Sequence, residues 1–151
     1  YSDYLGRKNM SEILIDQLLN TAKTIAIVGI SNKPERDSYK VAQFLQEHGY
    51  RILAVNPMQA GTSILGLTCY ANLTEAQQGS GCLIDIVDCF RKAEDIPAIV
   101  SEAIAVQAKS VWMQLGITNE LAAEQAKLAG LDVVMDRCTK IEFKRLHNIL
   151  N

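Results

Sequence analysis

The chain's first candidate for chemistry is a glycine set between an apolar run and a polar one. In TIAIVGISNKPERDSY the β-branched residues stop at Gly29, and Ser31, Asn32, Lys33, Arg36 and Ser38 follow. Two hydroxyls, a run of main-chain amides and two cations can hold phosphate oxygens if the backbone comes close and a helix start aims its unpaired N–H groups at them. The plainer alternative is that Gly29 only ends a strand, Ser38 caps a helix, and Lys33 and Arg36 are solvated loop charges. The pattern departs from G-x-G-x-x-G. Where a ribose-binding carboxylate would follow the second strand, the chain has Asn56 and Pro57, with no arginine after them for an extra phosphate, so an NAD(P) site is disfavoured.

Other reactive residue types are scattered. Cys69, Cys82, Cys89 and Cys138 lack C-x-x-C spacing, so reduced thiols in a cytoplasmic protein are expected, and Cys89 and Cys138 are expected to be buried and inert. His48 and His147 fall near helix ends rather than strand ends. Trp112 and Met113 read as core, Gln114 just beyond them as a ligand candidate, and Asp136-Arg137 as an ion pair. No nucleophile stands beside a base and no metal-ligand spacing occurs, so binding is expected without catalytic machinery.

A sheet must position these residues. The 151 residues, 48% hydrophobic, can bury one substantial core. A net charge of -2 without a basic run gives no support for nucleic acid, and no apolar run is long enough to cross a membrane. After a polar tail over residues 1–10, Ser11 is expected to cap a short helix. Strands are expected in TIAIVGI, RILAVNP, CLIDIVDCF, KSVWMQLG and LDVVMDR, with a minor one around Ile64. Between them the spacing predicts helices from Ser38 to His48, near Thr74, after Glu94-Asp95, and from a Thr118 cap to Gly130. A last helix would open on a capping box of Thr139 and Glu142. Five main strands alternating with helices predict an α/β three-layer fold: a mostly parallel sheet with helices on both faces. Ligands of such sheets bind beyond the carboxyl ends of the strands, which selects the stretch after Val28, Asn56-Pro57, Asp88 to Arg91, Gln114 to Gly116, and Asp136 to Cys138.

Taken together, TIAIVGISNKPERDSYKVAQFLQEHGYRILAVNP, IDIVDCFRK, AKSVWMQLGI and GLDVVMDRCTKIEFKRL resemble the small stand-alone CoA-binding-domain proteins, relatives of the N-terminal domain of the succinyl-CoA synthetase alpha subunit. The resemblance covers about residues 20–147 and implies a Rossmann-like domain, 21–151, after an N-terminal segment 1–20. It implies coenzyme A or an acyl-CoA as ligand. Gly29, Ile30 and Ser31 match the family's G-x-[ST] turn, whose continuation through Asn32 and Lys33 would hold the pyrophosphate. Ser38 and Tyr39 match the Ser-Tyr at the helix start, and Asn56 and Pro57 the V-N-P element near the ADP portion. Val87, Asp88, Cys89 and Phe90 match the segment beside adenine or the pantetheine arm, and Arg91 follows within reach of a phosphate. Relatives often carry a cation soon after V-N-P for the 3′-phosphate. Met58-Gln59 stand there instead, which leaves Lys33, Arg36 or Arg91 to supply the charge. The family's synthetase relatives keep their phosphorylated histidine in another domain. A CoA-binding module is therefore expected, with a homodimer or an enzyme partner left open. The alternatives are an NAD(P)-binding oxidoreductase and the nucleotide-binding subunit of a two-chain acid–CoA ligase. In this reading, Gly29→Val is expected to block phosphate approach while sparing the fold.

Overall fold

The computed structural model describes residues 8–150. Most of the expected polar tail lies outside them. The first helix, α1 (Met10–Thr21), is capped by Asn9, whose side chain accepts the Glu12 N–H at 2.9 Å, and not by Ser11.

Strand β1 (Thr24–Val28) is buried at every position and sits at the centre of the sheet. It pairs in parallel with β2 (Arg51–Val55) on one side and with β5 (Ile86–Cys89) on the other. Beyond β5 follow β6 (Ser110–Met113) and β7 (Asp132–Val134), both parallel. Beyond β2 come β4 (Leu67–Tyr70), parallel, and β3 (Ser63–Ile64), antiparallel to β4. The order is β3-β4-β2-β1-β5-β6-β7, so seven strands form where five main ones were expected. The two additional strands are a hairpin turning on Leu65 and Gly66, both with φ in the left-handed region (55° and 75°). A mirror-image two-residue turn favours Asn or Gly at both positions, and Leu65 hides it in the sequence.

Alternation along the central strands splits the core in two. Ala26, Val28, Val87, Val111 and Met113 face α3 (Leu73–Ser80), α4 (Ile96–Ala105) and α5 (Glu120–Leu128). Ile25, Ile27, Ile86 and Trp112 face α1, α2 (Asp37–Glu47) and α6 (Thr139–Leu146). Helices on both faces of a mostly parallel sheet make this a Rossmann-like three-layer fold.

Side chains outside the apolar pattern fasten the second face. Arg145 donates to Asp16 at 2.7 Å and to Glu142 at 3.0 Å, bridging α6 to α1, and Lys8 pairs with the same Asp16. These bonds hold the Asp16 carboxyl below its ordinary range against the cost of burial. Phe143 sits edge-on between Phe44 and Tyr50, and the Trp112 indole donates to the Arg137 carbonyl at 2.8 Å.

Trp112 is fully buried and reaches from β6 to the start of α6. Trp112→Ala is expected to lower the unfolding free energy by about 3–5 kcal/mol, the range for an emptied aromatic core site, as read by urea denaturation followed by circular dichroism.

Candidate functional site

The strand order reverses between β1 and β5, and that is where the candidate residues converge. Gly29 donates its N–H to the Val55 carbonyl at 2.8 Å, and Phe90 donates to the Val28 carbonyl at 2.8 Å, so the ends of β2, β1 and β5 stay in register beyond the strands. Gly29 has φ +88°, and a Cβ there would lie 2.6 Å from the Phe90 carbonyl oxygen and 2.8 Å from the Arg91 side chain. Its lack of a side chain is thus required by the protein's own backbone. The expectation that Gly29→Val spares the fold is overturned.

From Gly29 the chain leads through buried Ile30 to Ser31, whose N–H donates to the Ser38 hydroxyl oxygen at 2.9 Å. The Ser31 hydroxyl oxygen in turn accepts the Lys33 N–H at 3.0 Å. Both serine oxygens act as acceptors here, and each keeps a hydrogen to donate. Ser38 therefore does not cap α2. The cap position is Arg36, with no side-chain hydrogen bond, so α2 begins with backbone N–H groups that no cap satisfies. Asn32, Lys33 and Arg36 are exposed, and no ion pair holds either cation among the described residues. Tyr39 packs partly against the α2 side of the core.

Asn56 clasps this loop to the end of β2. Its side chain donates to the Ile30 carbonyl at 2.8 Å and accepts the Met58 N–H at 2.9 Å, while Pro57 stands exposed beside it. Arg91 pairs with Asp95 at 3.1 Å and lines two cavities that meet at this edge. One, about 270 Å³, lies on the α3–α4 face beside Gly29 and Pro57. The other, about 570 Å³, lies on the α2–α6 face and is bordered by Lys40, Phe90, Gln114, Ile117 and Lys140.

Val87 and Cys89 point into the core and are fully buried, which places them beneath the crevice rather than in it. Burial pushes the Cys89 thiol up, and it does the same to Cys138, which borders the larger cavity. Neither favours the thiolate. Asp88 is fully buried on the α6 side. Its carboxylate accepts from the Gln114 amide at 2.6 Å and from the Thr139 hydroxyl at 2.9 Å, while the Gln114 amide also donates to the Thr139 oxygen at 3.0 Å. Desolvation pushes the Asp88 carboxyl up to about 7, and these two hydrogen bonds oppose it only in part.

Thr139 was absent from the residues selected by sequence, because its spacing to Glu142 looks like a capping box. In the fold Cys138 takes the cap position, Thr139 turns to Asp88, and Glu142 pairs with Arg145 and Arg137. The expected Asp136-Arg137 pair is not formed either: Asp136 accepts the Gly116 N–H at 2.6 Å. Likewise Asn119, not Thr118, caps α5. His48 stacks on Phe44 and His147 packs on Phe143, away from the strand ends.

A larger cavity, about 790 Å³, lies at the opposite, amino edge and carries Lys23, Arg51 and Lys109. Size does not make it the better anion site. Asp85 there accepts the Lys23 and Thr24 N–H groups at 2.8 and 3.0 Å and pairs with Lys109 at 3.4 Å. Helices following parallel strands also start at the carboxyl edge, so their positive ends face the Gly29 crevice and their negative ends face this one.

The fold defines a Rossmann-like domain, with a crevice at the carboxyl edge of its sheet. The chain matches the family model described as CoA binding domain over residues 23–144, and it belongs to that family. It is 36% identical over 134 residues to the uncharacterized protein YneT of Bacillus subtilis, covering 89% of this chain and 95% of that protein. The solved structure of cell-free ID.343 from Thermus thermophilus is 35% identical, with a TM-score of 0.84, covering 91% of this chain and 99% of that one. A more distant likeness in fold is to acetyl-coenzyme A synthetase 1 of Ca. Korarchaeum cryptofilum, at 18% identity and a TM-score of 0.64, covering 79% of this chain and 27% of that one.

Two outcomes follow from this geometry. Gly29→Ala is expected to destabilise the protein by about 1–3 kcal/mol, from strained backbone and the Phe90 clash together, measured by urea denaturation. Asp88 keeps its proton in the folded chain up to about 7 but loses it in the unfolded chain near 3.8, so its contribution to stability falls as pH rises through that window. Asp88→Asn is expected to remove this fall, seen by comparing the stability of both proteins from pH 4 to pH 8.

Proposed function

We propose that the chain binds coenzyme A or an acyl-CoA in the carboxyl-edge crevice and acts as a binding module without catalytic groups of its own. The observation that carries this is the Gly29–Arg36 loop, running from the strand-order reversal into the uncapped start of α2, in a chain of the CoA binding domain family. In this reading Ser31, Asn32, Lys33 and the first N–H groups of α2 hold the pyrophosphate. Pro57 borders the ADP portion, and Phe90 and Gln114 border the pantetheine arm in the larger cavity. Lys33 and Arg36, exposed and unengaged by carboxylates among the described residues, supply the charge for the 3′-phosphate ahead of Arg91, which Asp95 already occupies. The free thiols suit a reducing, cytoplasmic setting.

A second reading is a subunit that works with a partner chain. It is favoured by the likeness to a synthetase of which this chain spans only 27%. Co-purification of a protein carrying the remaining ligase domains would support it.

Isothermal titration with CoA, dephospho-CoA and NAD tests the first reading. CoA is expected to bind about tenfold or more tighter than dephospho-CoA, the order of one charge-assisted phosphate contact, and Lys33→Ala with Arg36→Ala is expected to erase that preference. Tighter binding of NAD than of CoA would overturn the ligand assignment. An unchanged preference in the double variant would overturn the assignment of the two cations.

A further inference from the structure

The hydrogen bonds around Asp88 fix more than a carboxylate. Thr139 has one hydroxyl hydrogen and donates it to Asp88, at 2.9 Å. Toward Gln114 its oxygen can therefore only accept, and it does, at 3.0 Å. The other hydrogen of the same amide goes to Asp88 at 2.6 Å. Both Gln114 hydrogens are thus committed inward. A flipped amide would set Oε1 against an acceptor-only carboxylate and a threonine oxygen whose hydrogen is already committed, so the carbonyl cannot turn in while Asp88 is ionised.

Gln114 also borders the 570 Å³ cavity, and with its hydrogens committed it has only the Oε1 acceptor to offer there. Phe90, Ile117 and Ile141 on the same lining cannot compete for a hydrogen bond. We propose that Asp88 and Thr139 are positioning residues that hold the Gln114 carbonyl toward the cavity, so that this wall selects a ligand group that donates a hydrogen bond. Resting on the CoA reading, that group is an amide N–H of the pantetheine arm. Phosphate and carboxylate groups, which only accept, are turned away from this wall and left to Lys40, Arg91 and Lys140 around the mouth. The wall therefore sets which end of the ligand enters.

The selection depends on the charge of Asp88. Its titratable surroundings are the Cys89 and Cys138 thiols, kept neutral by burial, with Asp37, Lys40, Arg91 and Lys140 lining the cavity. The residues in register with it on β1 and β6, Ile27 and Trp112, do not titrate. A protonated Asp88 offers an O–H that Oε1 can accept, which frees the amide to turn its hydrogens outward. Burial lifts that protonation into the neutral range, so the acceptor wall is present above about pH 7 and is lost below it.

Amide exchange and titration test this separately from the ligand assignment. In ¹⁵N-glutamine-labelled ligand-free protein at pH 8, the Gln114 side-chain pair, assigned by its loss in Gln114→Met, is expected to exchange with solvent at least tenfold more slowly than in Asp88→Asn. It is expected to lose that protection in the parent at pH 6. CoA affinity of the parent is expected to fall about tenfold more than that of Asp88→Asn between pH 8 and pH 6, the worth of one oriented hydrogen bond, with the variant correcting for titration of the ligand. Equal protection at both pH values in the parent, with each rate divided by the base-catalysed rate of a free glutamine amide at the same pH, overturns the inference even if Asp88→Asn does not fold. Protected amide hydrogens without CoA binding at either pH uphold the orientation and overturn the CoA reading.

Discussion

At the carboxyl end of β1 the chain is held from both sides, by Gly29 to Val55 and by Val28 to Phe90. Three strand ends meet there within hydrogen-bonding distance, and the approach is so close that no side chain fits at Gly29. Everything at the candidate site depends on this junction. It sets where the loop from Ile30 to Arg36 leaves the sheet and where Arg91 stands between the two cavities. It also keeps the end of β2 close enough for Asn56 to clasp the loop at Ile30. A parallel sheet leaves its strand ends unpaired somewhere, and the reversal of strand order between β1 and β5 opens the crevice where helix starts also point.

The two edges of the sheet carry different electrostatics. At the amino edge, Lys109 is matched by Asp85, which also takes the Lys23 N–H, and the negative ends of helices face the cavity. At the carboxyl edge, Lys33 and Arg36 extend from a loop whose hydroxyls are oriented but keep hydrogens to give, in front of an uncapped helix. The larger amino-edge cavity is therefore the poorer match for a phosphorylated ligand. Beneath the carboxyl edge, Asp88 is a carboxylate buried at real cost, fixed by two polar neighbours instead of a cation. A group retained there against desolvation orders Gln114 and the start of α6, linking the sheet to the helix that borders the cavity.

The strands and helices were legible because continuous β-branched runs and helical apolar spacing are local signals, and the sheet class follows from their alternation. The β3–β4 hairpin was only hinted at, since Leu65 occupies a turn position that favours Asn or Gly. The caps of α1 and α5 fell one or two residues from those expected, where Asn9 and Asn119 outcompete neighbouring hydroxyls. Gly29 was legible as special, but its reason comes from Phe90 and Arg91 across the sheet. Asp88, Gln114 and Thr139 are separated by at least 25 residues in sequence, and the Arg145 to Asp16 bond spans 129. No periodicity encodes such partners. A local capping pattern at Thr139 pointed instead to the helix start, and the buried acceptor on β5 prevailed.

The most direct measurement is a backbone ¹⁵N–¹H spectrum of the protein titrated with CoA. Shifts are expected to concentrate at residues 29–38, 56–58, 88–92 and 114–117, the carboxyl edge. Shifts confined to Lys23, Arg51, Asp85 and Lys109 at the amino edge would contradict the account, and so would a spectrum that CoA leaves unchanged.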